Sequence, residues 1–177
     1  LVANINGAAA EKDGNGFISR VSPQGVVTDL KWIDGGSYGV TLHAPKGMTI
    51  VADTLFVTDI HCIRRFERET GAPLRELCLE EGAFLNDLTS NSRGDLYFSD
   101  SGTEDSPGAV YFLRQLAEVP QVVALADGTH LRGFELGAPN GLHVDDSGLF
   151  VATFGSGELF RVSAQVERIQ LLPLSEM

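Results

Sequence analysis

The chain has 177 residues, about the length of one domain and enough to bury a real core. Its 43% hydrophobic and 21% charged content is ordinary for a water-soluble globular protein, and no run approaches the roughly 18–20 apolar residues that span a membrane. Thirteen basic against twenty-four acidic residues give a net charge of −11 with no Lys/Arg cluster, which argues against nucleic-acid binding and suits either solubility or cation binding.

Twenty glycines and seven prolines among short apolar runs point to many turns and an all-β chain. Residues 1–4 read as the second strand of a β unit whose first strand is missing, and 5–16 as a polar, Gly-rich connection. Phe17–Val21 and Val26–Trp32 read as strands joined by the turn Ser22-Pro23-Gln24-Gly25. A loop with Gly35, Gly36 and Gly39 leads to Ala44-Pro45-Lys46-Gly47-Met48-Thr49-Ile50, then Leu55–Asp59, Cys62–Glu67 and Leu74–Leu79. A second run begins at Phe84-Leu85-Asn86-Asp87-Leu88-Thr89 and passes through Leu96–Asp100 to outer strands near Ala109–Leu113 and Gln121–Leu125. A third opens on Ala138-Pro139-Asn140-Gly141-Leu142-His143-Val144 and continues through Leu149–Thr153, Glu158–Val162 and Val166–Leu172. No segment keeps a 3.6-residue period long enough for a core helix; one short helical turn fits Leu113–Val119.

These three openings are variants of one phrase. Leu55 and Leu96 are 41 residues apart and Leu96 and Leu149 are 53 apart, the period of propeller blades made of four strands. The strands add up to three full blades and three-quarters of another. Because the first strand is absent and the last blade supplies no spare one, residues 1–177 are expected to be a single, incomplete β-propeller domain, about four blades of a six-bladed ring.

Matching repeat positions in a propeller lie at similar radius about the axis, and the residue just before each innermost strand is expected at the mouth of the central channel. Here those residues are Lys46, Asn86 and Asn140. Converging carboxamide oxygens suit a hard cation, with Asp87 as a further contact. The competing reading is a tight turn into the strand that Asn and Gly accommodate. His143, three residues after Asn140, either reaches the channel or packs on the inner strand.

The run from Asn4 through Ala44–Met48 and Phe84–Asp87 to Pro139-Asn140-Gly141-Leu142 resembles the gluconolactonase / senescence-marker-protein / luciferin-regenerating-enzyme family over essentially the whole chain. The Asn-Asp and Pro-Asn-Gly phrases look like that family's metal-site motifs. The resemblance implies a six-bladed propeller holding a divalent cation, usually calcium, and hydrolysis of lactones, related esters or, in one branch, phosphotriesters. It implies Asn140 as a direct metal ligand and Asn86 as a ligand or substrate contact; repeat position adds Lys46, Asp87 and His143 as substrate-side candidates, and no catalytic residue is identified within this chain. In such a site the cation polarises the carbonyl and stabilises the oxyanion, while a carboxylate or metal-bound water attacks. The family's opening Glu and later Asp have no counterpart in these residues, and two neutral amides alone hold calcium weakly. The alternative function is a non-catalytic propeller that binds a protein or small ligand on its top face.

Other signals are weaker. Glu11, Asp13, Asn15 and Gly16 imitate an EF-hand loop, but its twelfth position is Ser22 and its flanks read as strands, leaving a calcium-binding structural protein as a third option. Asp100-Ser101-Gly102 and Asp146-Ser147-Gly148 suggest an aspartic dyad but occupy non-equivalent places, and Asp100 aligns with Asn4 and Asp59 as a residue tying the strand end to backbone amides. Cys62 and Cys78 are expected as buried thiols, a cross-strand disulfide being the alternative, and with His61 they are too sparse to name a zinc site. Two cysteines leave the compartment open, cytoplasmic or exported.

Overall fold

The computed structural model describes residues 1–37, 39–79, 83–104, 108–114, 119–123, 131, 138–163 and 169–172. The described residues form fifteen strands in four antiparallel sheets. Within each sheet every strand pairs with its neighbours in sequence, so each sheet is a simple meander. Such connections need only short turns, which the Gly- and Asp-rich stretches supply. The chain divides into two compact units, Leu1–Leu79 and Glu80–Met177.

The first unit holds a three-stranded sheet, β1 (Val2–Asn4), β2 (Phe17–Val21) and β3 (Val27–Asp34). Its second sheet is β4 (Pro45–Val51), β5 (Thr54–Asp59), β6 (Cys62–Glu67) and β7 (Pro73–Cys78). Alternation along these strands sends Ile18, Ile33, Leu55, Val57 and Phe66 inward, where Leu42 joins them and Trp32 and Met48 close the edge. Gly35 is required beneath this core, since a Cβ there would run into the carbonyl oxygens of Leu42, Gly14 and Gly16.

The second unit contains β8 (Leu85–Ser90), β9 (Leu96–Asp100), β10 (Ala109–Leu113) and β11 (Gln121–Val122) in one sheet. The other is β12 (Ala138–Asp145), β13 (Gly148–Phe154), β14 (Leu159–Ser163) and β15 (Ile169–Leu172). Val110, Val123 and Leu131 pack with Leu149, Val151, Phe160 and Val162 in a shared core between the two sheets.

The expected strands are present, with β3 continuing two residues past Trp32. Of the expected outer strands, Ala124 and Leu125, and 166–168, lie outside the described residues, as does most of the expected helical turn at 113–119.

The cysteines depart from the expectation of thiols. Cys62 and Cys78 are bonded to each other, with Cα atoms 4.0 Å apart. The cause is register: the turn after Glu67, with Gly71 in the left-handed region at φ 73°, places Cys62 directly opposite Cys78 on β6 and β7.

The strand-end residues behave as expected in two sheets and differently in a third. Asp59 Oδ1 accepts the Ala44 and His43 amides at 2.7 and 3.0 Å, and Asp100 Oδ1 accepts those of Phe84 and Gly102 at 2.8 and 2.9 Å. Asn4 instead donates through Nδ2 to the Val2 carbonyl at 3.1 Å and to Ser19 Oγ at 3.0 Å. A carboxylate can only accept, whereas the carboxamide also has hydrogens to place.

Candidate functional site

Lys46, Asn86 and Asn140 do not precede their strands but lie inside them, at one recurring irregularity. Pairing of β4 with β5 slips between Pro45 and Met48, of β8 with β9 between Leu85 and Leu88, and of β12 with β13 between Pro139 and Leu142. Each slip leaves two residues out of the ladder: Lys46-Gly47, Asn86-Asp87 and Asn140-Gly141. Bulges of this kind bend a strand and re-aim its side chains, which overrides the simple alternation that would turn Asp87 away from its neighbour.

Hydroxyls repair the interrupted ladders. Thr58 Oγ1 accepts the Gly47 amide at 2.9 Å, and Ser99 Oγ, at the equivalent place on β9, accepts the Asp87 amide at 3.0 Å. In the third repeat Ala152 stands at that position, so no hydroxyl is available, and a Cβ on Gly141 would lie 3.6 Å from the Ala152 methyl. The help comes from the adjoining sheet: Ser99 Oγ donates to the Asn140 carbonyl at 2.6 Å and Ser101 Oγ to the Pro139 carbonyl at 2.7 Å.

Asn86 Nδ2 donates to Ser101 Oγ at 3.3 Å, placing its carboxamide one hydroxyl away from the Pro139–Asn140 backbone. Asp87 Oδ1 accepts the Leu88 amide and Oδ2 the Leu142 amide, both at 2.8 Å. Thus Asn86, Asp87 and the backbone of Asn140 meet where β8 and β12 run side by side. Ser99 and Ser101 complete the cluster. Sequence reasoning missed both; the recurring hydroxyl before the strand-end acid, Thr58-Asp59 and Ser99-Asp100, was the available signal.

The electrostatics are those of a partly dehydrated site. Burial raises the Asp87 pKa above the ordinary carboxylate value, against the opposing pull of the Leu142 and Leu88 amides. In the first unit, Lys46 donates to the Ala44 carbonyl at 3.1 Å, and burial lowers its pKa to about 8 although the nearby Asp59 carboxylate pulls the other way. As a donor set for a hard cation, the cluster shows the Asn86 carboxamide and the Asp87 carboxylate, whose oxygens each accept one amide, while Asn140 is placed here by its backbone carbonyl. These residues fit a divalent cation chemically, as part of a larger oxygen set.

Other candidates are placed elsewhere. His143 is exposed and neither packs in the core nor lies at the bulge; its ring tilts toward Phe150 at a centroid distance of 6.2 Å. Asp13 and Asn15 are bonded to each other, through Asn15 N to Asp13 Oδ1 at 3.2 Å and Nδ2 to Oδ2 at 2.5 Å, while Asn15 Oδ1 is buried without a hydrogen-bond partner. A cleft of about 220 Å³ beside Arg93, Tyr97, Asp145 and Asp146 lies at the opposite ends of β8 and β12 from Asn86 and Asn140. It is small for a ligand pocket.

No protein-family model matches the chain. No curated protein matches it closely enough to count as a relative. Among solved structures it is similar to the crystal structure of the computationally designed Ika8 protein, at 13% identity and a TM-score of 0.51. The match covers 93% of this chain and 44% of that one, so the chain spans less than half of that protein's length. At this identity the likeness speaks to the fold alone.

Proposed function

We propose that the chain belongs to a β-propeller of four-stranded blades, of the gluconolactonase / senescence-marker-protein type, and that it serves hydrolysis of a lactone or related ester with a divalent cation, calcium by preference, at Asn86 and Asn140. Four meander sheets in succession support the propeller reading, since blades of that architecture are consecutive meanders. The observation that carries the site is the one-residue register slip repeated at Lys46-Gly47, Asn86-Asp87 and Asn140-Gly141, with Asp87 bridging to Leu142 in the second unit.

In this reading the Asn86 and Asn140 carboxamide oxygens and the Asp87 carboxylate hold the cation, whose contribution is Lewis-acid polarisation of the ester carbonyl. Ser99 and Ser101 fix the backbone on which those ligands stand. With the cation in place the Asp87 carboxylate is held as the anion, which offsets the burial that otherwise raises its pKa.

Calorimetric titration of the chain with calcium chloride, paired with pH-stat hydrolysis of a γ-lactone, tests this. Wild type should bind calcium, and Asn140→Ala and Asp87→Asn should each weaken binding at least about tenfold, the ordinary cost of disturbing a metal site. Affinity unchanged by both substitutions would refute the metal site, and calcium binding without hydrolysis would refute the catalytic assignment.

A further inference from the structure

A second cluster, in the first unit, has no part in that chemistry. The hairpin between β5 and β6 turns in two residues, Ile60 and His61, because Asp59 pairs directly with Cys62. Ile60 adopts φ 55°, a left-handed conformation that a β-branched side chain rarely takes and that glycine ordinarily fills in such a turn. This strained turn delivers His61 beside the two sulfurs: the ligating atoms of His61, Cys62 and Cys78 all lie within 4.8 Å of one another. The Leu79 amide donates to the His61 carbonyl at 2.9 Å, tying the end of β7 to the same turn. Cys62 is buried at 2% exposure, whereas Cys78 is exposed on β7, the outermost strand of its sheet. The bond is therefore open to an attacking thiolate from solvent.

We propose that reduction of the Cys62–Cys78 disulfide converts this cluster into a binding site for zinc or a similar borderline-soft divalent cation, with His61 and the two thiolates as ligands and water in the fourth position. Zinc takes thiolate sulfur at about 2.3 Å and imidazole nitrogen at about 2.0–2.1 Å in a tetrahedron, so its ligand atoms stand about 3.6–3.8 Å apart. The three side chains need only a small adjustment from a mutual spread of 4.8 Å or less, since the hairpin register already holds them together. In the disulfide both sulfurs are committed to each other, and the thiolate pair does not exist. Reduction by a dithiol adds two electrons and two protons to the S–S bond, giving two thiols while the reductant closes to its own disulfide. Binding of the cation then releases both thiol protons. The site is redox-gated: closed when oxidised, metal-binding when reduced.

Cobalt(II) is the probe, because thiolate coordination gives sulfur-to-metal charge transfer and tetrahedral geometry gives intense d–d bands. The full chain is reduced with a trialkylphosphine, which leaves as its oxide with oxygen from water and does not compete for the metal as a dithiol does. The reduced protein should take up one equivalent of cobalt with both spectral signatures, displaced by zinc, and the oxidised protein should show neither. Second-sphere losses at metal sites already cost about 10–100-fold, so removing a ligand in His61→Gln should weaken cobalt binding at least about 100-fold. That variant keeps both cysteines and tests the site even if Cys78→Ser fails to fold. The proposal is overturned if reduced wild type shows no thiolate–cobalt band, or if His61→Gln binds as tightly as wild type.

Discussion

The sharpest structural prediction concerns two aspartates that the repeats make equivalent and the surroundings make unequal. Asp59 is 0% exposed and 2.8 Å from the Nε of Arg64, itself 7% exposed. In Asp59→Asn the amide oxygen retains the Ala44 and His43 bonds that Oδ1 now accepts, but an NH₂ replaces the Oδ2 that faces the guanidinium. Breaking a buried ion pair costs about 3–5 kcal/mol. Arg64 keeps its contact with the half-exposed Glu76, so we expect about 2–4 kcal/mol. Asp100 has no arginine at hand among its named contacts. Its Oδ1 alone accepts Phe84 and Gly102, an arrangement an asparagine reproduces, so Asp100→Asn should cost about 1 kcal/mol. Trp32, the only tryptophan, packs against the core of the first unit and reports on Asp59→Asn by fluorescence during urea unfolding. At about 1–3 kcal/mol/M, the expected loss moves the midpoint by roughly 1–2 M. Asp100→Asn is followed by far-ultraviolet circular dichroism. Equal losses for the two variants, or a loss below about 1 kcal/mol for Asp59→Asn, would show that the Arg64 pairing does not distinguish the sites.

Two further predictions use the first unit's core and its lysine. Lys46 is held at about pH 8 in the folded protein against an ordinary 10.5, so the unfolded chain binds more protons between those values and stability should rise as pH rises from about 8 to 10.5. Lys46→Met should abolish that rise and stabilise the protein at pH 7 by about 1–2 kcal/mol, a figure reduced for the solvent that still reaches the side chain; a variant with the wild-type pH profile would contradict the burial argument. Phe66, 1% exposed in the first core, should cost about 3–5 kcal/mol on replacement by alanine, and a loss under 1 kcal/mol by Trp32 fluorescence would show that the core collapses around the gap.

Strand positions were legible because they depend on local patterns: Leu55-Phe56-Val57, Leu96-Tyr97-Phe98 and Leu149-Phe150-Val151 alternate faces whatever the rest of the chain does. The phrase repeats also located Lys46, Asn86 and Asn140 at one structural position. What the pattern could not express was the slip in pairing at that position, because a bulge is a relation between two strands and period-two reasoning assumes it absent. For the same reason the seryl hydroxyls that support Asp87 carry no signal in a period-two pattern. The disulfide was legible only as an alternative: a turn at Glu69–Ala72 sets Cys62 and Cys78 nearly opposite, and the direct pairing depends on a further slip between Ile63 and Arg65 that spacing does not express. His143 lies past the bulge from Asn140 along β12, and its side chain is exposed rather than packed on the inner strand.

The bulges also separate what a turn requires from what a ligand requires. Lys46-Gly47 and Asn140-Gly141 leave the ladder at the same place without a carboxylate, so the slip itself does not call for one. At Asn86-Asp87 a carboxylate is present, it is partly buried, and burial raises its pKa, which means the anion is disfavoured there. Because the folded chain then holds that proton more tightly than the unfolded chain, Asp87 lowers stability as pH rises from the ordinary carboxylate range through its raised folded value. Two backbone amides offset part of this cost and leave the rest. A divalent cation beside Asn86 and Asn140 reverses the sign, turning the disfavoured anion into a ligand. Calcium should therefore raise wild-type stability most above the folded Asp87 pKa and hardly at all in Asp87→Asn. The same calcium dependence in both proteins would detach Asp87 from any cation and leave its burial without a functional reason.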